Sequence, residues 1–442
     1  MAYTYNIKSS QRDIRSQNSL LACHMIAGII NMFVTTFLVA HIYSFNGDTY
    51  TYLFNVGVYN LFVYLAQAVF YIPISKVVDK TNRVITYRFG MFVKAALVVC
   101  FIFFGPHLAK LLILAGVLNG LATAMYYASY NVIKQEMVSR KAIGSYTSLV
   151  YVISKTLEVV CPVLLGLLID VTTFSQVSIV VFVMCVAQIA VSYGIKSQRP
   201  EGSCFNLKNY MSKLKSNSQA KSKIMIIYYI CLIYGVVILT TNIINVCVML
   251  EFGSTFSLGA LTSVFAFASI IALFFVKKIK SNKGRIVLFV VCGVAPIIAS
   301  IVFAIWVNKI TVIVLNGVIT ITSIVYKYLF DIYRNSTLKE AGLYNEISEH
   351  HAVVEVIANV SRIVCFALLL VVALIKSLVV FKAMLVLVSV VTAFVFVFIG
   401  YYEKKYVNTE SKSEELTTTQ IQEEVPSIPK AELSADGPSE VY

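Results

Sequence analysis

Residues 111–130 read LLILAGVLNGLATAMYYASY, a run without one formal charge. At 1.5 Å of rise per residue, such a helix matches a hydrocarbon layer ~30 Å thick. Lipid offers no partner to backbone N–H and C=O groups, so the run must satisfy them internally, as a helix does. Its centre, Val117-Leu118-Asn119-Gly120, returns as Val314-Leu315-Asn316-Gly317, 197 positions later and again inside an apolar run. The run and its echo point to a chain of many spans built by duplication.

The composition agrees. The chain has 442 residues, 58% hydrophobic and only 13% charged, with a mean hydropathy of +0.80. No soluble surface hides that much apolar side chain. Apolar runs predict twelve spans, near 18–45, 51–74, 84–104, 108–130, 143–170, 176–195, 224–250, 254–276, 286–307, 310–333, 348–375 and 378–401. Residues 1–17 are polar and basic, too long and mixed for a secretory leader, and the run after them is too long for one, so it reads as a retained first span.

The basic residues orient the spans. Of 36 Lys and Arg, Lys110, Lys309 and Lys376 fall in one set of loops, and Lys94, Lys155, Arg362 and Lys382 inside spans. The rest lie at the N-terminus, in alternate loops, at the adjoining helix ends or in the C-terminal tail. The positive-inside rule then puts both termini in the cytoplasm. The net charge of +14 is largely topology, and no separate basic domain supports a nucleic-acid partner.

The organisation expected is a cytoplasmic N-terminus (1–17), a six-span half (18–195), a cytoplasmic central loop (196–223), a second six-span half (224–401) and a tail (402–442). In the central loop Phe205, Leu207, Tyr210, Met211 and Leu214 approach helical spacing among lysines. A basic helix on the inner leaflet and a solvated linker both fit. The tail holds nine acids against four lysines and cannot build a core. Eight of the nine cysteines lie in apolar runs, where a thiol acts as a small hydrophobe. No CxxC pair marks a metal or redox site.

The repeat extends beyond the opening motif. Thr35-Thr36 matches Thr240-Thr241, Arg83-Val84 matches Arg285-Ile286, and Val152-Ile153 with Val160-Cys161 matches Val356-Ile357 with Val364-Cys365, at offsets of 205, 202 and 204. Six spans is an even number, so the two copies are parallel, related by an axis along the membrane normal.

With this pattern the chain resembles the major facilitator superfamily of secondary transporters over residues 18–401. After span 2 that family carries Gly-x-x-x-Asp-Arg/Lys-x-Gly-Arg-Arg/Lys. Here Asp79, Lys80 and Arg83 match, Ser75 and Val84 depart, and Asn82 replaces a glycine, with the capacity for positive φ. The second copy keeps Gly284-Arg285 but has Ser281 for the acid. The resemblance implies a cytoplasmic gate at Asp79, Arg83 and Arg285. It implies a central cavity lined by spans 1, 4, 7 and 10, and alternating access between two halves.

Spacing independently marks polar faces. In span 5, Ser148, Tyr151, Lys155 and Glu158 share a face. In span 11, His351, Glu355, Asn359 and Arg362 do. In register Glu158 meets Arg362, opposite charges at equivalent positions. These charges neutralise one another, locally or across the halves, or Glu158 and Glu355 carry protons as the cavity changes sides. Span 4 presents Asn119, Thr123, Tyr126, Tyr127, Tyr130 and Lys134. Span 10 presents Asn316, Thr320, Ser323, Lys327, Asp331 and Arg334. Span 1 adds His24, Asn31 and Thr35; span 7 adds Tyr234, Thr241 and Asn245. Cavity lining competes with ordinary helix–helix hydrogen bonding for each. Lys94 lies mid-span with no partner evident from spacing.

These readings predict a secondary transporter of a small solute at the plasma membrane, working as a monomer in the bilayer, with no resident cofactor or metal. Protons or another ion couple the movement. Tyrosines and amides suit a neutral, amphipathic or aromatic-bearing solute. Cys161-Pro162-Val163-Leu164-Leu165-Gly166 faintly echoes the Gly-Pro stretch of proton-coupled exporters, favouring export over uptake. A non-transporting sensor or assembly protein is the rival. A metal enzyme built on Glu346, Glu349, His350, His351 and Glu355 ranks last. The topology is testable. A fluorescent protein fused after Tyr442 should be bright in bacterial cells and alkaline phosphatase at that point inactive; the reverse pair would invert the orientation.

Overall fold

The computed structural model describes residues 2–44, 48–137, 143–196, 205–279, 281–340, 342–343 and 346–407. Among the described residues, twelve helices are long and apolar enough to cross a membrane. They are, as spans 1 to 12, Ile14–Ser44, Thr49–Lys80, Arg83–Phe104, His107–Lys134, Leu149–Val171, Phe174–Ser192, Ser218–Phe252, Thr255–Val276, Lys283–Ile305, Lys309–Phe330, Ile347–Ile375 and Leu378–Lys405. These are the twelve expected. Spans 2 and 7 run about six residues further toward the end that carries the basic loops, the basic end. The chain divides into two compact units, Met1–Ile399 and Gly400–Tyr442. The helix packing and the candidate site belong to the first.

Local chemistry sets the helix ends. Asp48 caps span 2 by accepting from the Tyr50 and Thr51 N–H groups at 2.7 and 3.2 Å. Those bonds and the Thr51 hydroxyl hold its carboxyl below the usual range. Gly253 ends span 7 at φ +63, the left-handed conformation glycine adopts without penalty. Asn82, which could have adopted positive φ, has φ −74 and caps span 3 by accepting from the Val84 N–H at 3.0 Å. A capping side chain serves there because Arg83 opens a new helix. Span 1 is interrupted by a π turn, Phe33–Phe37, at the Thr35-Thr36 pair.

Contacts between helices follow the repeat. Span 2 packs on span 11 and span 8 on span 5; in the six-span register each pair maps onto the other. Span 4 packs on spans 2 and 3, and span 10 on spans 8 and 9. The repeated Asn-Gly motif acquires a reason here. A Cβ on Gly120 would lie 2.2 Å from the Val63 carbonyl oxygen of span 2, and one on Gly317 would lie 2.6 Å from the Phe265 ring of span 8. Both glycines let span 4 or span 10 approach the equivalent neighbour closely.

At the end away from the basic loops, one apolar cluster draws on both halves. It joins Phe37 and Ile42 of span 1 and Val56 of span 2 to Ile243 and Val246 of span 7 and Phe366 of span 11. Spans 5 and 8 close on each other there almost backbone to backbone. A Cβ on Gly259 would meet the Pro162 carbonyl at 2.2 Å, and one on Gly166 the Thr255 carbonyl at 2.6 Å. Asp170, at the end of span 5, caps span 8 from the other half. It accepts from the Ser254 hydroxyl at 2.8 Å and from the Thr255 and Phe256 N–H groups at 3.2 and 3.0 Å.

Nearer the basic end the clusters are smaller. One belongs to the first half and includes Leu20, Val84, Tyr87 and Ile195. A second joins Tyr71, Ile74 and Val78 of span 2 to Ala128 of span 4 and Ala352 of span 11. Gly259→Leu should overpack the seam between spans 5 and 8, at a cost of about 1–3 kcal/mol. Gly28→Leu, where a Cβ has nothing within 4 Å, should be tolerated. Melting temperatures of the detergent-solubilised variants compare the two.

Candidate functional site

The charges of spans 5 and 11 pair within their own helices. In span 5, Lys155 bonds to Glu158 one turn on, and its ammonium lies 5.8 Å from the Tyr151 ring centre. Lys155 is buried, whereas the Glu158 side chain is 40% exposed. In span 11, Arg362 lies 3.8 Å from Glu355 and donates to the Asn359 amide oxygen at 2.6 Å. Its guanidinium carbon sits 5.1 Å from the centre of the Tyr64 ring of span 2, so an aromatic face from the other half supports it. Local neutralisation is therefore the arrangement found.

Lys94 has partners. It donates to the Asn119 amide oxygen at 2.5 Å and lies 3.5 Å from the Thr123 hydroxyl, while Asn119 donates to the Tyr59 hydroxyl at 2.7 Å. This chain links spans 3, 4 and 2. Spacing within one helix could not reveal it, because the partners are 25 residues apart on different helices. It borders a small cleft lined by Asn31, Lys94, Thr123, Tyr126, Tyr127 and Gln188 among others. Next to it His24 stacks on Tyr130 with ring centres 4.3 Å apart, and its Nδ1 lies 3.1 Å from the Tyr126 hydroxyl. Tyr126 and Tyr130 are buried in the first-half cluster.

The remaining candidates are spread over both halves. Asn316 is buried and accepts from the Thr320 hydroxyl at 3.0 Å. Ser323 and Asn245 are half-buried, and Thr35 and Thr241 are exposed. Thr35 returns its hydroxyl to the Asn31 carbonyl and Thr241 to the Val237 carbonyl, at 2.8 and 3.1 Å. The side chains of Tyr234, Ser148 and Asp331 lie outside the described residues. At the basic end, Asp79 and Arg83 pair at 3.3 Å with both side chains buried, and Arg285 is half-buried.

A contact that spacing did not reveal lies beside that pair. The central loop forms a helix, Leu207–Ser216, with Tyr210 and Leu214 buried and its lysines outward. It packs on protein through its ends and one face. Phe205 packs against the cluster of Tyr71, Ile74 and Val78 of span 2, and the next residue, Asn206, donates its N–H to Glu349 of span 11 at 2.7 Å. Lys213 pairs with Glu346. The Tyr210 hydroxyl lies 2.7 Å from that of Tyr228 and 3.0 Å from His350 Nδ1. Burial pushes the Tyr210 phenol up to about 12, so it stays neutral. Glu346, Glu349 and His350, three of the candidate metal ligands, are thus engaged with this helix. Among the described residues no three His, Cys, Asp or Glu gather as a metal site.

Comparison with known proteins matches this arrangement to a family. The family model described as Major Facilitator Superfamily matches residues 20–345. A Bacillus subtilis protein, the uncharacterized YqgE, is 21% identical over 283 residues. That match spans 62% of this chain and 63% of the relative. Among solved structures, an inward-facing bacterial homologue of the iron transporter ferroportin superposes with a TM-score of 0.64 at 15% identity, over 89% of this chain and 99% of that one. An outward-facing bacterial homologue of ferroportin gives 0.58 at 16% identity, over 89% and 100%. A POT family transporter with a bound peptide conjugate gives 0.66 at 12% identity, over 88% and 96%.

The Lys94 network yields a stability test. Asn119→Leu strands a buried ammonium and should cost about 3–5 kcal/mol. Lys94→Met should cost less, and the double variant should recover most of the loss. Thermal unfolding of the three proteins measures it; equal losses for N119L with and without K94M would mean the pair is not coupled.

Proposed function

The chain belongs to the major facilitator superfamily, and on that premise we propose that it is a proton-coupled secondary transporter working by alternating access. One observation carries the reading. The apolar cluster and the span 5–span 8 seam join both halves at the end away from the basic loops, while Glu158, Thr35, Thr241 and Lys327 keep exposed side chains. Closure at one end with polar groups left accessible is what a solute pathway open at the other end requires. The higher similarity to the inward-facing than to the outward-facing ferroportin homologue supports the same orientation, with the basic end in the cytoplasm of a plasma-membrane protein.

Alternating access then means breaking the seam at Gly259 and Gly166 while closing the basic end. Asp79, Arg83 and Arg285 are the gate residues of this proposal. Asn31, Thr35, Asn119, Tyr126, Tyr127, Tyr130, Tyr234, Thr241, Asn245, Asn316, Thr320 and Ser323 are its cavity candidates. The buried ones become available only if the halves reorient. Glu158 is the leading proton carrier because it is the most exposed of the four paired charges of spans 5 and 11 and its cation, Lys155, rides on the same helix. Glu355, beside Arg362, is the second. Export is the favoured direction, on the strength of Pro162, and a monomer is the working unit.

Proteoliposomes carrying an imposed pH gradient should accumulate or lose a transported solute. Glu158→Gln should reduce proton-driven movement at least tenfold while leaving gradient-independent exchange of the solute intact, and Glu355→Gln should do the same more weakly. Full coupling in both variants would remove these residues from the proton pathway. An absence of flux for every solute that binds would favour a non-transporting sensor.

A further inference from the structure

Lys94 stands in a part of the bundle whose helices carry no acid at its depth. Span 3, its own helix, has none, and neither do spans 1, 4 and 6. The one acid within span 2 is Asp79, at the basic end and paired there with Arg83. Glu136, on the helix that continues span 4, is thirteen residues past Thr123, about 20 Å along the axis. Spans 4 and 6 are the main neighbours of span 3. None of the helices around Lys94 therefore offers it a carboxylate, although its side chain is only 8% exposed. A charge at that depth is costly, and ionisable groups placed there mark ion paths and proton relays.

The partners of Lys94 suit an amine as well as an ammonium. Asn119 is held in one orientation. Its NH2 group donates to the Tyr59 hydroxyl at 2.7 Å, so its carbonyl oxygen faces Lys94 at 2.5 Å. The Thr123 hydroxyl, at 3.5 Å, can accept or donate. The ammonium donates to both. The amine still donates to Asn119 and takes the Thr123 O–H on its lone pair. A carboxylate partner would have favoured the charged form alone. The cleft that Lys94 lines has a volume of about 10 Å³, room for one water and too little for a solute. Asn31, Thr123 and Gln188 offer that water polar contacts. The titratable groups around Lys94 are the Cys185 thiol of span 6 and the phenols of Tyr59 of span 2 and Tyr126 and Tyr127 of span 4. Span 1 adds Ala27, Ile30 and Asn31 to the lining, and none of them titrates.

We propose that Lys94 is a proton-binding site of the transport cycle, loaded and emptied through water in this cleft. The assignment rests on the proton-coupled reading and adds a site in the first half to Glu158 and Glu355. On loading, a hydronium ion gives its proton to the Nζ lone pair: an N–H bond forms, one O–H bond breaks and a water is left. Emptying runs in reverse. Lysine suits the role because its amine can release a proton, whereas a guanidinium stays protonated. The network also ends beside the contact between the halves. Tyr59 precedes Asn60, whose amide donates to the Asn242 amide oxygen of span 7 at 3.4 Å. A change of charge at Lys94 therefore acts on the turn of span 2 that touches the other half.

The full chain in proteoliposomes on a solid-supported membrane, stepped through a series of pH values with no solute present, tests the site. Protons are the probe, and the transient displacement of charge is the readout. The double variant Glu158→Gln, Glu355→Gln should keep a transient, and adding Lys94→Arg should reduce it at least fivefold. Arginine retains the charge and the N–H donors that a structural tie needs, so a merely structural lysine predicts an unchanged transient. An unchanged transient overturns the proposal, and so does a double variant with none. Where Lys94→Arg does not fold, Lys94→Met with Asn119→Leu removes the charge and its partner together and carries the same test; a transient kept by that variant also overturns the proposal. Proton-driven flux distinguishes the two levels. A transient lost with Lys94→Arg, in a protein that moves no solute, defeats the transporter reading and leaves the site intact. Flux and transient that both survive Lys94→Arg do the opposite.

Discussion

The backbone in lipid must satisfy its own hydrogen bonds, and the whole architecture depends on that constraint. It makes every span a helix, and it removes the hydrophobic drive that would hold two helices together in water. Helices in lipid hold each other instead where backbones can touch and polar groups can pair. The seam of spans 5 and 8 has both. Gly259 lies against the Pro162 carbonyl, Gly166 against that of Thr255, and Asp170 caps the neighbouring helix. The seam is tight yet made of few groups, and such a contact can form and break as a unit.

The two halves show what duplication keeps and what it lets go. Gly120 and Gly317 do the same packing job in each copy. Asn119 and Asn316 do not: one holds a buried lysine, the other a threonine of its own helix. The divergence is sharpest at Glu158 and Arg362. Equivalent places on two helices carry opposite charge, and each is neutralised by a neighbour along its own helix. Pairing of that kind lets the halves separate without exposing an unpartnered charge to lipid, whose cost would otherwise oppose the motion.

At the basic end the connection is of another kind. Two successive residues of the central loop meet opposite halves: Phe205 packs on the Tyr71, Ile74 and Val78 cluster of span 2, and the Asn206 N–H bonds to Glu349 of span 11. The helix that follows them buries Tyr210 against Tyr228 and His350. The linker is therefore part of the contact between the halves at the basic end, close to the buried charge pair of Asp79 and Arg83.

The twelve spans, their duplication and the family were legible in the sequence because each is written in periodicity and composition, which act along the chain. Helical spacing also placed Lys155 with Glu158 and Arg362 with Asn359, since partners one turn apart are neighbours whatever surrounds them. Spacing could not say which way Tyr126 and Tyr130 face, who holds Lys94, that Asn82 caps a helix, or that Asp170 reaches span 8. Those depend on contacts between elements far apart in sequence, and one helix surface carries no record of its neighbour. The order of residues alone was enough to specify a duplicated membrane bundle with polar faces. Which end is shut, and which polar groups are spent on holding the bundle, was settled by the packing of one helix on another.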